Sequence, residues 1–156
     1  MTPESFINEF PPLALRARQL RVDLLHDKIY DPLRHKWVAL TPEEWVRQNV
    51  TSHMTLDLGY PAVLMANEVG LRLNGRLRRC DTIVWRAGTG LPLMIAEYKA
   101  PHIALTQRVV EQVMRYNMVF HAPWLMISNG LQHVVCGVNS ARMERIPGYA
   151  ELLQNK

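Results

Sequence analysis

The sequence has 156 residues and a mass of 18.0 kDa, which fits one domain with a full hydrophobic core and excludes two domains of typical size. Hydrophobic residues make up 48% of the chain and charged residues 21%, so disordered and fibrous proteins are excluded. The formal charge of +4 and the isoelectric point of about 9.3 suit an anionic partner without establishing one.

Cysteine spacing and hydropathy limit where the protein works. Cys80 and Cys136 have no CxxC or Cys/His ligand spacing, so neither a zinc site nor a disulfide scaffold is indicated and we expect a reducing cytoplasm. No basic segment with an apolar core opens the chain, and no run approaches the roughly 20 apolar residues of a membrane span. We therefore expect a protein that is neither secreted nor in a membrane.

The first 35 residues are interrupted by prolines at positions 11, 12 and 32. Arg16, Arg18 and Arg21 form a basic cluster there, which we interpret as a solvated segment rather than a groove contact. The chain shows no internal repeat and no glycine-serine linker. We predict a single domain with a packed N-terminal extension over residues 1–35, a core over 36–138 and a C-terminal tail over 139–156.

A helix start follows the extension. Thr41 is suited to the N-cap, Pro42 to the first helical position, and Glu44 to closing a capping box. We expect this helix to run to about Leu56, with His53 at the edge of the core rather than on a metal.

Period-2 alternation then predicts strands. Val69, Leu71 and Leu73 alternate with polar or small residues, and Asn74-Gly75 tolerates the positive φ angles of a type I′ turn. Residues 76–85 should therefore return antiparallel beside the first strand. A turn over residues 87–90 leads to a third strand from Leu91 to about Lys99.

The rest of the chain alternates helix and strand. Residues 106–120 show helical periodicity, and two apolar runs, 124–128 and 131–138, are separated by Asn129-Gly130. Helices interleaved with a mixed sheet predict a layered α/β domain with the core order αβββαβ.

Three charged residues stand out within these apolar strands. Glu97 and Lys99 project to one side of the third strand, and Asp81 in the second strand can lie opposite them. Burying such groups without a role carries a large desolvation cost. Two converging carboxylates make an oxygen-rich site for Mg²⁺, and an ammonium can orient water and balance charge on a phosphodiester. A simple Glu97–Lys99 salt bridge at the sheet rim is the alternative.

This ordered set resembles the PD-(D/E)xK nuclease superfamily, and more narrowly the N-terminal nuclease domain of the type I restriction enzyme R (HsdR) subunit. Asp81 is followed after 15 residues by Glu97-x-Lys99, and the resemblance covers residues 36 to 138. The other matching segments are Leu40-Thr41-Pro42-Glu43-Glu44-x-Val46-Arg47-Gln48, Gly59-Tyr60-Pro61, Arg79-x-Asp81, Gln112-xxx-Tyr116 with Asn117, and Ser128-Asn129-Gly130. The resemblance implies a restriction-endonuclease-like fold and a metal-dependent DNA endonuclease.

The resemblance also implies a role for each matching position. Asp81 and Glu97 would bind Mg²⁺, with Mn²⁺ as a substitute, and Lys99 would position the attacking water. Glu68 would be a third acid on the metal, although the alternation equally allows an outward polar side chain there. Gln112 and Tyr116 resemble a QxxxY element on one helix face. That face should turn toward the sheet, although Tyr116 alone would also fit simple packing at the core edge.

Two questions stay open in the sequence. Arginines around the first hairpin would aid phosphate contact or only keep exposed strand faces soluble; they are Arg72, Arg76, Arg78 and Arg79. The sequence has no GxxxxGK[ST] motif, so we expect no ATP site in this chain. The first hypothesis for function is a nuclease acting with specificity, methylation or translocase subunits; the alternative is a non-catalytic DNA-binding or docking module of a restriction-modification complex.

Overall fold

A computed structural model describes residues 20–138 and 142–154, together with residues 10, 13 and 15. The strands are β1 Val22–Asp23, β2 Lys28–Asp31, β3 Lys36–Ala39, β4 Met65–Leu73, β5 Arg76–Trp85, β6 Pro92–Tyr98, β7 Trp124–Ser128, β8 His133–Gly137 and β9 Arg142–Met143. The helices are α1 Pro42–Asp57, α2 Gln107–Asn117 and α3 Tyr149–Gln154, with 3₁₀ turns at Ala62–Leu64 and Met118–Phe120.

Two sheets result. β1, β2 and β3 form a small antiparallel meander, and the other six strands form one mixed sheet in the order β4-β5-β6-β7-β8-β9. Only the β6–β7 pair is parallel within this sheet, since α2 carries the chain across between them. The mixed sheet with flanking helices is the α/β architecture expected from the sequence.

The first hairpin forms as predicted. Asn74 and Gly75 have φ angles of 52° and 77°, and Leu73 pairs with Arg76 across a two-residue turn. β5 pairs with β6 only from Thr82 to Trp85, so the tip of the β4–β5 hairpin extends as a two-stranded arm. This arm carries the exposed arginines of the hairpin, beyond the part of β5 that pairs with β6.

Helix α1 starts at Pro42, directly after the predicted N-cap Thr41, but the predicted capping box with Glu44 does not form. The Thr41 side chain accepts a hydrogen bond from the Glu44 amide at 3.1 Å. The Glu44 carboxylate instead accepts from Arg34 at 2.6 Å and from Gln48 at 3.0 Å. His53, as expected, is half-buried and pairs with Asp57 at 3.0 Å.

The core has two sides, one on each face of the large sheet. Helix α1 and the C-terminal segment cover one face, where Val50, Met94 and Leu152 belong to one cluster. Helix α2 and the 3₁₀ turn after it cover the other, where Ile83, Ile95 and Phe120 pack together. Side-chain alternation along β6 therefore places Tyr98 on the α1 side and Glu97 on the α2 side.

Part of the predicted N-terminal basic cluster, Arg16 and Arg18, and the prolines at positions 11 and 12 lie outside the described residues. Arg21 is described: its guanidinium lies 4.5 Å from the centre of the Tyr30 ring and 5.2 Å from that of Trp37. In the described part of the chain, no helix is long and apolar enough to cross a membrane.

Candidate metal and nucleic-acid site

The structure brings Asp81, Glu97 and Lys99 together. The Asp81 carboxylate accepts a hydrogen bond of 2.9 Å from the amide of Tyr98, the residue between the other two. Lys99 Nζ lies 4.0 Å from Glu97 Oε1, and the Glu97 and Lys99 side chains, 25% and 35% exposed, line one pocket. The antiparallel pairing of β5 with β6 thus produces the constellation that the sequence spacing predicts.

Burial and repulsion act on the two acids. Burial raises the pKa of Asp81, an effect that the Tyr98 amide and Arg47 oppose, and the Glu68 charge raises it further. Burial and then the Asp81 charge raise the pKa of Glu97, while Lys99 lowers it. The two carboxylates are therefore short of positive charge, and a cation bound between them would relieve this.

Glu68 does not join the other acids. It has a φ of 54°, and the side-chain alternation of β4 shifts by one residue there. Ala66 and Val69 are three residues apart and would lie on opposite faces of a regular strand, yet both pack on the same cluster. Its Oε1 accepts a hydrogen bond of 2.5 Å from Arg47, and its Oε2 lies 4.0 Å from Arg79. Simple alternation could not predict this orientation, which draws the proposed third acid onto an arginine.

Gln112 and Tyr116 line the same pocket as Glu97 and Lys99, a cavity of about 510 Å³. The predicted orientation of their helix face is wrong, because both side chains are exposed and α2 buries Val110, Val113 and Asn117 instead. Two adjacent valines, at 109 and 110, left the buried face ambiguous in the sequence. The helix edge, rather than its buried face, borders the site.

Two of the four hairpin arginines, Arg76 and Arg79, are exposed on the hairpin arm. Neither lines the pocket that holds Glu97. Their neighbour Arg78 stacks its guanidinium 5.5 Å from the centre of the Tyr116 ring, so the arm approaches helix α2.

Two further residues reach the site that sequence reasoning did not assign to it. Asn117 donates a hydrogen bond of 3.3 Å to Glu97 Oε2. Arg47, only 8% exposed, donates to the main-chain oxygen of Asp81 at 3.0 Å as well as to Glu68. The buried guanidinium also lies 3.1 Å from Glu44. Sequence signals were available: both residues lie in segments that match the family, and Glu44 and Arg47 are spaced i, i+3 on a helix.

The donor atoms of Asp81 and Glu97 fit a hard divalent cation. Mg²⁺ is usually held by one or two carboxylates, with waters and substrate phosphates completing its shell. Among the residues that the structure describes, no three His, Cys, Asp or Glu side chains form a group able to hold a metal. The fit therefore rests on two acids, because the Arg47 ion pair holds the Glu68 carboxylate.

Comparisons with known proteins agree with this architecture. A family model described as the type I restriction enzyme R protein N terminus matches residues 42–151. A solved fragment assigned as an HsdR subunit of a type I restriction enzyme from Vibrio vulnificus YJ016 is similar, with a TM-score of 0.57 and 16% sequence identity. The similarity covers 72% of this chain and 24% of that chain, so this chain spans about a quarter of its length. No curated protein matches. The restriction-endonuclease-like fold expected from the sequence is confirmed.

Proposed function

Because the chain belongs to the type I restriction enzyme R protein N-terminal family, we propose that it is a metal-dependent DNA endonuclease domain that hydrolyses phosphodiester bonds. The observation that carries this proposal is the hydrogen bond from the Tyr98 amide to Asp81. It locks one acid against the strand segment that presents the other acid and the lysine, which is the arrangement that hydrolytic cleavage of a phosphodiester needs.

Each residue has a distinct task. Asp81 and Glu97 hold Mg²⁺ or Mn²⁺, which when bound polarises a phosphoryl oxygen and lowers the pKa of a water molecule. Lys99, partly exposed beside Glu97, orients the attacking water and balances the negative charge of the phosphodiester. Asn117 keeps the Glu97 carboxylate in place, and Glu68 acts only through Arg47.

The surroundings of the site suit a nucleic acid. Gln112 and Tyr116 border the pocket and contact the DNA or support its position. Arg76 and Arg79 on the hairpin arm contact phosphates, and such contacts provide affinity without reading sequence. Specificity, methylation and translocase subunits of a restriction-modification complex are the proposed partners, and translocase subunits would supply any ATP-driven step.

A second candidate is a DNA-binding or docking module that does not cut. One observation favours it: no group of three potential metal ligands forms among the described residues. Under this hypothesis the chain would bind DNA or a subunit while Asp81 and Glu97 stay without a catalytic task. The reducing cytoplasm suits both candidates, because Cys80 and Cys136 are free thiols.

Nicking of supercoiled plasmid separates the two candidates. We expect the wild-type protein to nick DNA with Mg²⁺ or Mn²⁺ and to stop when EDTA is added. Asp81→Asn and Lys99→Ala should each lose about 100-fold or more of this rate. Both variants should keep DNA affinity, measured by fluorescence anisotropy of a labelled duplex.

Asp27→Asn is the matched control, since Asp27 is an exposed residue in the β1–β2 turn and asparagine tolerates its φ of 51°. It should cut like the wild type. A wild-type protein that binds DNA but cuts with neither metal would overturn the nuclease proposal and support the docking module.

A further inference from the structure

A second cavity, of about 560 Å³, includes Glu68 in its lining and shares no residue with the pocket of Glu97 and Lys99. Its lining residues are Arg34, Lys36, Asn67, Glu68 and Arg79. We call it the Lys36–Arg79 cleft. Strand β3 of the meander provides Lys36, and the β2–β3 turn provides Arg34. The β4–β5 hairpin provides the other three residues. Positive groups outnumber negative ones in this lining by three to one.

Buried hydrogen bonds hold the wall of the cleft. Asp31, fully buried, pairs with Arg34 and accepts a hydrogen bond of 3.0 Å from Asn67 Nδ2. Thr82 donates to Asn67 Oδ1 at 2.6 Å, and Arg34 reaches Glu44 at 2.6 Å. Because these side chains satisfy one another, the meander is fastened to the large sheet at this point and the cleft has a fixed shape.

The charges that face solvent in the cleft are those of Lys36 and Arg79. Arg34 is compensated by Asp31 and Glu44, and its side chain is only 17% exposed. The Glu68 carboxylate is compensated from behind by buried Arg47. Lys36 is exposed, and Arg79, although it lies 4.0 Å from Glu68 Oε2, is 70% exposed. The cleft therefore offers one ammonium and one guanidinium to an anion.

The cleft adjoins the candidate metal site. Asn67 pairs with Thr82 and Val69 with Cys80, so Glu68 stands across the strand pair from Asp81. Arg47 bonds both the Glu68 carboxylate and the Asp81 carbonyl. An extended polyanion lying on the metal site would therefore have its neighbouring phosphates close to the cleft.

We propose that the Lys36–Arg79 cleft binds a phosphate of the nucleic-acid backbone other than the one that is cut. Arg79 binds phosphate oxygens through its planar guanidinium and Lys36 as a point charge. The contact is independent of base sequence, since it involves only the backbone. This assignment rests on the proposed function for the identity of the polyanion, and it gives the N-terminal meander a part in binding DNA.

Salt-dependent DNA binding tests the cleft. Fluorescence anisotropy of a labelled 20-base-pair duplex is measured with EDTA present, at several NaCl concentrations, for the wild type and Lys36→Ala. The binding constant K falls as salt rises, and each lost phosphate contact decreases the steepness of the plot of log K against log salt by about 0.9. We expect Lys36→Ala to show that decrease and about 3- to 10-fold weaker binding in low salt.

Lys28→Ala is the matched control, because Lys28 is an exposed lysine of the same meander that does not line the cleft. It should leave the slope and the affinity unchanged. If the wild type binds and nicks DNA but Lys36→Ala equals Lys28→Ala in slope and affinity, the cleft assignment is wrong and the nuclease proposal stands. If the wild type binds no DNA, both are overturned.

Discussion

Replacing Arg47 by methionine is the sharpest test of how the site is held together. The guanidinium is 8% exposed and contacts two carboxylates, those of Glu44 and Glu68, and the carbonyl of Asp81. Burial opposes its charge, but Glu44, Glu68 and Asp81 outweigh that effect and raise the pKa of Arg47. The residue is therefore charged in the folded state, and its loss leaves buried Glu44 with Arg34 alone and Glu68 with the exposed Arg79 at 4.0 Å.

The magnitude follows from the kind of contact that is lost. Removing one partner of a buried ion pair costs about 3–5 kcal/mol of unfolding free energy. With a urea m-value of about 2 kcal/mol per molar, that loss lowers the urea midpoint by about 1.5–2.5 M. A domain with a total stability of about 5–15 kcal/mol would lose a large share of it.

A urea titration monitored by tryptophan fluorescence measures this loss of unfolding free energy. Arg79→Met is the matched control. Arg79 approaches the same Glu68 carboxylate, but at 4.0 Å and 70% exposed. Its replacement should change stability by no more than about 0.5 kcal/mol. If Arg47→Met lowered stability by less than about 1 kcal/mol, or by no more than Arg79→Met, the network would not hold the site as described.

Three further predictions address the acids and the hairpin. Because burial and Asp81 raise the pKa of Glu97 above 4.5, the folded state binds a proton there more tightly than the unfolded state and loses stability as the pH rises. Glu97→Gln should therefore exceed the wild type in urea midpoint at pH 7 and match it below pH 4.5; a gap that persists in acid would refute this cause. Millimolar Mn²⁺ should raise the melting temperature of the wild type and of Glu68→Gln but not that of Asp81→Asn. If Glu68→Gln showed no such rise, Glu68 would be a ligand of the metal. Gly75→Ala, at a φ of 77°, should lose about 1 kcal/mol in the same urea titration, whereas Asn74→Gly should stay near the wild type.

Local chemistry explains what could be predicted from the sequence. The β4–β5 hairpin and the start of α1 were predictable because Asn74-Gly75 and Thr41-Pro42 act within a few residues of themselves. The approach of Asp81 to the Glu97–Lys99 segment was also predictable, since a hairpin register and period-2 alternation are enough to bring the strands' side chains together.

Contacts distant in the chain explain what could not be predicted. The shift of β4 at Glu68 and the commitment of its carboxylate depend on Arg47, which lies 21 residues earlier on another element. The meander of β1–β3 was not resolved from the sequence, because its short strands are stabilised by buried Asp31 and its partners rather than by a strong pattern. The orientation of α2 was likewise decided by packing against the sheet and by Asn117 bonding to Glu97.

The sequence by itself determined the order of elements from α1 to β8, the first hairpin and the approach of Asp81 to Glu97 and Lys99, because turns, caps and alternation act over short distances. Only the tertiary structure decided which acids share a site, which face of α2 borders it and where the Lys36–Arg79 cleft lies. Those outcomes depend on buried charges finding partners across the fold, and one guanidinium at position 47 selects among acids that the sequence presents as equivalent.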